Sequence, residues 1–270
     1  NKNSLNCILE SIQKLKVNLL IIDFQLSPIQ QRNLELLFKV KVIDRTQVIL
    51  EIFSSRAISN EGKIQVELAA LNFQKTRLVR SWTHLERQRG GSGFLGGPGE
   101  RQIELDRRII NKNIKNLNAS LQKVIKTRSI QNSKRKNSSS IIVSLVGYTN
   151  TGKSTLFNNL TNSSVISKNM LFATLDPTLR LMKHEMSYKN KIILSDTVGF
   201  ISSLPTELVE SFKSTLEFIR ESDFLLIVND ASDKNMEDKH NIILKTLRSI
   251  GVEENYLKEK VMNVFNKCDL

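Results

Sequence analysis

The chain lacks a cysteine framework, because Cys7 and Cys268 are its only cysteines and stand at opposite ends. Two such residues exclude a disulfide scaffold and a cysteine-based metal site. Only four prolines and eleven glycines occur in 270 residues, which excludes a collagenous or low-complexity chain. No apolar run approaches the ~20 residues of a membrane helix, and the first residues lack the apolar core of a signal peptide. We therefore expect a cytoplasmic protein without a membrane span.

Both ends of the sequence suggest a piece of a longer protein. The chain begins with Asn1 rather than methionine and stops at Leu270, directly after an apolar run and a short polar motif. We expect the sheet to be incomplete at the carboxyl end, which would leave a sheet edge and apolar surface exposed.

The excess of positive charge lies in the first half of the chain. Lysine and arginine number 40 against 27 acidic residues, a net charge of +13. Residues 1–140 hold 25 basic and 11 acidic residues, whereas residues 141–270 hold 15 and 16. Such an excess favours a polyanionic partner such as RNA, DNA or an anionic membrane surface. A solvated cationic face without a partner is the alternative.

The first 45 residues predict a partial α/β subdomain. The apolar run 17–24 is typical of a strand buried on both faces. Ser27 and Pro28 form a helix start, with a cap followed by proline at the first helical position. The run 39–44 predicts a second strand, and the intervening helix makes the two strands parallel.

Residues 46–131 predict a long helical hairpin. The segment 46–89 forms either one helix or two helices broken near Asn60, and the glycine-rich segment 90–99 ends it. Apolar residues then recur at coiled-coil spacings from Ile103 to Val124. An antiparallel hairpin with a functional glycine-rich tip is favoured over an ordinary helical subdomain because basic residues flank the tip. The polar, serine-rich segment 132–140 predicts a linker.

Residues 141–270 predict a doubly wound, mostly parallel α/β sheet, because four apolar strand patterns alternate with helical stretches. Gly147–Ser154 reads GYTNTGKS, which matches the phosphate-binding pattern G-x-x-x-x-G-K-[ST] between a strand and a helix. Lys153 would neutralise phosphate oxygens, and the Ser154 hydroxyl would ligate Mg²⁺. The second half is therefore expected to be a nucleotide-binding domain.

Two later motifs follow strands in the order that such domains require. Asp196 and Gly199 stand in DTVG, where the carboxylate can hold Mg²⁺ through water and the glycine N–H can sense a γ-phosphate. Asn266–Asp269 reads NKCD, and the Asp269 carboxylate can accept two hydrogen bonds from guanine, which adenine cannot donate. The three motifs together predict GTP rather than ATP as the ligand.

Four further positions bear on hydrolysis or on the ions beside the phosphates. Thr174 and Thr178 both lie where a switch threonine would complete the Mg²⁺ shell. Phe200 follows Gly199, where many GTPases place a glutamine that orients water, so slow intrinsic hydrolysis is expected. Asn150 is a candidate ligand for a monovalent cation beside the phosphates, and a structural hydrogen bond within the loop is the alternative.

With its first half included, the sequence resembles the HflX family of ribosome-associated GTPases. The resemblance rests on VGYTNTGKSTLFNNLT, LFATLDPTLR, DTVGFI and NKCD in the second half. In the first half it rests on LSPIQQRNLE, VIDRTQVILEIF, GKIQVELAAL, WTHLERQRGG and GPGERQIELDRR. The P-loop motifs are shared by many GTPases, whereas LERQRGG with GPGE and ELDRR is specific to this family.

The resemblance implies a P-loop GTPase domain over 141–270 that binds GTP or GDP with Mg²⁺. Lys153, Thr174 and Gly199 would have catalytic roles. The protein would be a monomer. Its Mg²⁺ ligands would be Ser154 and Thr174. It also implies association with the large ribosomal subunit and its RNA, and the splitting of stalled ribosomes under stress. The nucleotide site would comprise Gly147, Tyr148, Thr149, Asn150, Thr151, Gly152, Lys153, Ser154, Phe172, Ala173, Thr174, Leu175, Asp176, Asp196, Thr197, Val198, Gly199, Asn266, Lys267, Cys268 and Asp269.

The sequence departs from the family pattern at the hairpin tip, where Gly96 stands in place of an expected arginine and one residue is extra. This departure bears on the contact of the tip with RNA. The main alternative function is an RNA-binding module with a hydrolytically inert nucleotide domain, which Phe200 and the absence of a last guanine-binding loop would permit. A GTPase acting in tRNA modification shares the nucleotide motifs but not the LERQRGG segment.

Overall fold

The computed structural model describes residues 2–88, 98–136, 140–163, 178–183, 191–201 and 219–270. The chain divides into two compact units. One comprises Asn1–Ile52 and Ala69–Asn116, and the other comprises Phe53–Leu68 and Leu117–Leu270. None of the described helices is both long and apolar enough to cross a membrane.

Helices dominate the described part of the chain before residue 137. Its elements are α1 (Lys2–Leu15), β1 (Leu19–Ile22), α2 (Pro28–Phe38), β2 (Lys41–Asp44), α3 (Arg45–Arg56), α4 (Asn60–Gln88) and α5 (Pro98–Lys136). Strands β1 and β2 pair in parallel, from Leu19 opposite Lys41 to Ile22 opposite Asp44. The predicted strand–helix–strand order and the parallel pairing are both confirmed.

Helix α2 begins with a reciprocal cap at the predicted position. The Gln30 N–H donates to the Ser27 hydroxyl at 3.2 Å, and the Ser27 N–H donates to the Gln30 side-chain oxygen at 2.9 Å. Each bond satisfies a backbone donor that the first helical turn leaves without a partner. Pro28 occupies the first helical position, where its fixed φ suits the helix and no N–H is needed.

Two side chains of α2 close the outer edge of β2. The Gln31 amide donates to the Val42 carbonyl at 2.6 Å, and the Val42 N–H donates to the Glu35 carboxylate at 3.1 Å. These bonds replace those that a further strand would make. An edge with satisfied backbone groups is a poor template for pairing with another chain.

Strand β1 is not buried on both faces, so that expectation is wrong. Leu19 and Ile21 are 43% and 57% exposed, and they alternate with the partly buried Leu20 and Ile22. The sheet of the first unit has two described strands, and only the face that carries Val42 and Asp44 is buried. An apolar run without alternation therefore does not by itself indicate a strand covered on both sides.

The helical segment that follows β2 is broken, as one of the two alternatives predicted. Helix α3 ends at Arg56 and α4 begins at Asn60. The Ser59 hydroxyl accepts the Gly62 N–H at 2.9 Å and so caps the new helix. The break lies just before the asparagine around which it was expected.

Helix α5 extends further than composition indicated. It begins at Pro98, inside the segment assigned to the tip, and ends at Lys136, inside the segment assigned to a linker. Lysine and arginine are good helix formers, so a basic stretch does not stop a helix. From Ile110 to Val124 the predicted seam positions are less exposed than most residues between them. The tip residues 89–97 lie outside the described part, and the antiparallel pairing of α4 with α5 stays a prediction.

The second unit contains a five-stranded sheet. Its elements from residue 141 are β3 (Ile141–Gly147), α6 (Lys153–Thr161), β4 (Thr178–Leu181), β5 (Ile192–Asp196), β6 (Phe224–Asp230), α7 (Met236–Ser249), α8 (Glu254–Glu259) and β7 (Val261–Asn266). The strand order is β4-β5-β3-β6-β7, and only β4 runs antiparallel to its neighbour. The predicted mostly parallel sheet is confirmed.

Apolar side chains cover both faces of this sheet. On one face Leu145 and Leu194 pack with Phe157 of α6. On the other face Val146 and Ile227 pack with a cluster that includes Ile243 of α7. Helices on both faces define a doubly wound fold, whose ligands bind at the carboxyl ends of the strands. Strands β3, β5, β6 and β7 end there with the three motifs and Asp230.

A buried ion pair holds the first unit together. The Asp44 side chain is fully buried, and its carboxylate accepts from Arg77 at 2.6 Å. The same carboxylate also accepts the Leu26 N–H at 3.2 Å and the Gln47 N–H at 2.9 Å. Removal of one partner from such a pair leaves a buried charge without compensation.

We expect Asp44→Ala to lower the free energy of unfolding by about 3 kcal/mol, because it strands the Arg77 guanidinium and two backbone donors. Urea denaturation followed by circular dichroism measures the change. Asp23→Ala is the matched control, since Asp23 pairs with Arg45 but is 83% exposed. The control should cost under about 1 kcal/mol. Equal losses for the two variants would contradict a structural role of the buried pair.

Candidate functional site

The predicted phosphate-binding loop connects β3 to α6. Gly147 ends the strand, and Lys153 and Ser154 open the helix. Gly152 precedes the helix with φ +90°, a left-handed backbone conformation that residues other than glycine rarely adopt. A glycine-containing loop that leads into a helix N-terminus is the arrangement that binds phosphate.

The Lys153 ammonium is buried inside this loop. Lys153 is 6% exposed, and its ammonium donates to the Tyr148 carbonyl at 2.7 Å. The Thr151 hydroxyl donates to the same carbonyl at 3.1 Å. Burial lowers the pKa of Lys153 from 10.5 to about 8, and attraction by Asp196 limits the fall. A buried cation with few neighbours is suited to neutralise a phosphate oxygen.

Ser154 and Asp196 meet at the predicted Mg²⁺ position. The Ser154 hydroxyl donates to the Asp196 carboxylate at 2.7 Å, although 42 residues separate them. Asp196 ends β5 and is fully buried. Hydroxyl and carboxylate oxygens are the hard donors that Mg²⁺ prefers, so these residues fit the ion. Among the described residues, no group of three or more His, Cys, Asp and Glu side chains forms a separate metal centre.

The DTVG segment lies directly against the phosphate-binding loop. A Cβ at Gly199 would lie 2.9 Å from the Thr149 methyl and 3.1 Å from the Lys153 ammonium, so only glycine fits there. The Thr197 hydroxyl donates to the Leu145 carbonyl at 2.6 Å and fixes the segment to β3. Gly199 thus lies beside the group that would meet the γ-phosphate.

Phe200 contacts the phosphate-binding loop through backbone hydrogen bonds. Its N–H donates to the Gly147 carbonyl at 3.0 Å, and its carbonyl accepts the Thr149 N–H at 2.8 Å. The side chain is 2% exposed and packs in the core with Val146 and Ile219. A buried phenyl ring cannot orient a water molecule, as the sequence predicted.

The NKCD motif follows β7 and binds the phosphate loop. The Asn266 amide donates to the Thr151 carbonyl at 2.8 Å, and the Lys267 ammonium donates to the Asn150 carbonyl at 2.9 Å. Cys268 and Asp269 are exposed, so the Asp269 carboxylate is accessible to a base. The structure therefore brings the NKCD motif and the predicted phosphate-binding loop to the same end of the sheet.

Several predicted residues lie outside the described part of the chain. They are Phe172, Ala173, Thr174, Leu175 and Asp176, so the assignment of Thr174 to Mg²⁺ stays a prediction. Thr178, the alternative, begins β4 and pairs with Asp196 across the sheet. Asn150 adopts a left-handed φ of 65° and its side chain is exposed, and the cation site beside it stays a prediction.

Sequence reasoning missed two groups beside the site. The Asp230 carboxylate, at the end of β6, accepts from the Lys267 ammonium at 2.7 Å. The Lys239 ammonium of α7 lies 4.9 Å from the centre of the Tyr148 ring and pairs with Asp233. The sequence did offer a signal for Asp230. It is an acidic residue at the end of a predicted parallel strand, and the neighbouring parallel strands end at the three nucleotide motifs.

Three family models cover most of the chain in sequence order. Residues 2–54 match the model described as GTP-binding GTPase N-terminal, and residues 56–135 match GTP-binding GTPase Middle Region. Residues 142–267 match 50S ribosome-binding GTPase. The curated protein GTPase HflX of Magnetococcus marinus is 49% identical over 96% of this chain, and that of Escherichia coli K12 is 45% identical over 97%.

The chain belongs to the HflX family of GTPases. It covers 58% of the Magnetococcus HflX protein and 60% of the Escherichia coli one, so it spans under two thirds of these relatives. A solved GTP-binding protein of Sulfolobus solfataricus in complex with GDP is 28% identical. The comparison covers 97% of this chain and 68% of that chain, with a TM-score of 0.47.

The depressed pKa of Lys153 predicts a pH dependence of nucleotide binding. Above about pH 8 the free protein loses the ammonium proton, whereas bound phosphates would keep the group charged. Binding then takes up a proton, so GDP affinity should fall about tenfold between pH 7 and pH 9. Titration of a fluorescent GDP analogue at constant ionic strength measures this fall.

Lys153→Arg is the control, because a guanidinium stays charged throughout this range. Its affinity, however weak, should not change with pH, and Lys153→Ala should abolish binding. A profile for the unsubstituted chain that is flat to pH 9 would contradict the role of a buried, titrating ammonium.

Proposed function

We propose that this chain binds GTP with Mg²⁺ and hydrolyses it to GDP and phosphate. The observation that carries the proposal is the convergence of three loops on one sheet edge. The first loop contacts the second through the Ser154–Asp196 hydrogen bond and the attraction between Lys153 and Asp196. The third loop contacts the first through the hydrogen bond from the Asn266 amide to the Thr151 carbonyl. No simpler role explains a buried ammonium, a serine–carboxylate pair and an exposed aspartate in this arrangement.

Each loop has a distinct task in this proposal. The backbone N–H groups at the start of α6 hold the β-phosphate, and Lys153 stabilises the charge that develops on the phosphate oxygens. The Gly199 N–H contacts the γ-phosphate when GTP is bound. Asp269 accepts two hydrogen bonds from guanine, while the Lys267 stem covers the ring. Water attacks the γ-phosphate in line with the leaving oxygen.

Mg²⁺ supplies charge neutralisation between the β- and γ-phosphates when it is bound. Ser154 would ligate it directly, and Asp196 would hold it through water. Resemblance to the family assigns a further ligand to Thr174.

Hydrolysis by the chain alone should be slow, because Phe200 is buried in the core and offers no group to orient water. A residue from a partner, or one outside the motifs, must place the attacking water. Acceleration by a partner is therefore part of the proposal.

The proposed partner is the large ribosomal subunit and its RNA. The match of residues 142–267 to the model described as 50S ribosome-binding GTPase supports this choice, as does the basic first half, in which 25 basic residues stand against 11 acidic ones. Phosphate groups of RNA are the polyanion that such a surface attracts. The splitting of stalled ribosomes under stress is the finer proposal. The second candidate, an RNA-binding module with an inert nucleotide domain, is favoured only by the buried Phe200.

Asp269→Asn should reduce the preference for GDP over xanthosine diphosphate by at least about tenfold. The substitution replaces one acceptor oxygen with an N–H₂ donor, which loses a charge-assisted bond to guanine and gains one to xanthine. Competition of both nucleotides against a fluorescent GDP analogue measures the ratio. Glu237→Gln is the control, because it removes a negative charge from an exposed residue of α7. It should leave the ratio of the two affinities unchanged. An unaltered ratio in Asp269→Asn would refute base recognition by this carboxylate.

Multiple-turnover phosphate release should rise when purified large ribosomal subunits are added. The stimulation should fade as salt increases, since attraction between basic side chains and RNA phosphates is screened. Small ribosomal subunits are the control and should stimulate less. Salt-sensitive sedimentation with large subunits, without turnover, would leave the RNA-binding alternative in place of the enzyme.

A further inference from the structure

The Lys267 ammonium makes two bonds that hold it away from solvent. It donates to the Asp230 carboxylate at 2.7 Å and to the Asn150 carbonyl at 2.9 Å. The lysine side chain is 26% exposed and the aspartate side chain 15%. An ammonium held at two points keeps its four-carbon stem in one conformation, although a free lysine samples many.

Asp230 is itself fixed on its second oxygen. The Ser232 hydroxyl and N–H both donate to this oxygen, at 2.6 and 3.1 Å. Asp230 also lies opposite Asn266 in the parallel pairing of β6 with β7. The Ala231 N–H donates to the Asn266 carbonyl at 2.8 Å, which extends that pairing beyond the strand ends.

Electrostatics favours the charged pair. Burial alone would raise the pKa of the Asp230 carboxyl, but hydrogen bonds from Lys267 and Ser232 outweigh it and lower the pKa below its usual value. The carboxylate is therefore ionised at neutral pH. It attracts Lys267 before any nucleotide is present.

We propose that Asp230 is a positioning residue for nucleotide binding, which acts by fixing Lys267 across the base site and against the phosphate loop. This inference rests on the proposed binding of GTP and adds a residue outside the three motifs. Asp230 touches no part of the nucleotide in this proposal. It acts by ordering the lysine in advance, so that this ordering does not oppose binding.

Asp230→Asn should weaken GDP binding about three- to tenfold, the range expected when one long side chain must be ordered on binding. The ratio of GDP to xanthosine diphosphate affinity should stay unchanged, because Asp269 sets it. Fluorescent GDP titration and competition measure both quantities. Asp238→Asn is the matched control, since Asp238 is exposed at the start of α7 and undergoes the same charge change.

A double-mutant cycle with Lys267→Met separates positioning from general destabilisation. If Asp230 acts through the lysine, Asp230→Asn has no further effect on GDP affinity in the Lys267→Met background. Losses that multiply in the double variant would overturn the proposal, as would an unchanged affinity in Asp230→Asn alone.

Ser232→Ala provides a second route if Asp230→Asn does not fold. It removes one hydrogen bond to the Asp230 carboxylate and leaves Lys267 intact. We therefore expect a smaller loss of GDP affinity than in Asp230→Asn. In the Lys267→Met background, Ser232→Ala should cause no further loss. Thermal melting of the nucleotide-free proteins establishes folding. Absence of GDP binding by the unsubstituted chain would refute the proposed function, whereas normal binding with no effect of either variant refutes only the role of Asp230.

Discussion

A charged ammonium lies buried at the carboxyl ends of the strands in the five-stranded sheet, and two loops of the second unit are arranged around it. Lys153 is held by the Tyr148 carbonyl and attracted by Asp196. Glycine occupies position 199, where a Cβ would lie 2.9 Å from the Thr149 methyl and 3.1 Å from this ammonium. An acidic residue ends the neighbouring strand β5. A phosphate group is the natural counter-ion for such a site.

The NKCD loop depends on the phosphate loop at the same end of the sheet for its position. The side chains of Asn266 and Lys267 both bind carbonyls of the phosphate loop, and Asp230 holds Lys267 from the other side. Backbone carbonyls of the phosphate loop thereby serve as anchors for a motif more than one hundred residues later. These hydrogen bonds tie the position of one loop to that of the other. A nucleotide that contacts both loops would meet one preformed surface.

Local patterns predicted much of the fold correctly. The Ser27 cap, the strand before Gly147 and the helix after Lys153 each depend on residues within a few positions of one another, and each is confirmed. Burial was harder to predict. The apolar run at Leu19–Ile22 forms a strand with one face exposed, because burial depends on which elements pack against it and not on the run itself.

The sequence by itself determined the family, four of the five strands in the sheet of the second unit and the residues of the nucleotide motifs, whereas β4 (Thr178–Leu181) was not predicted. These depend on residue type and on short spacing, which the sequence displays directly. The tertiary structure alone decided which distant side chains meet, including Ser154 with Asp196 and Lys267 with Asp230. It also decided that Lys153 is buried and that Phe200 points into the core. The physical reason is that two distant side chains meet only when their strands are neighbours in the sheet and pair in the right register. Neither the neighbours of a strand nor its register can be predicted from a short segment of sequence.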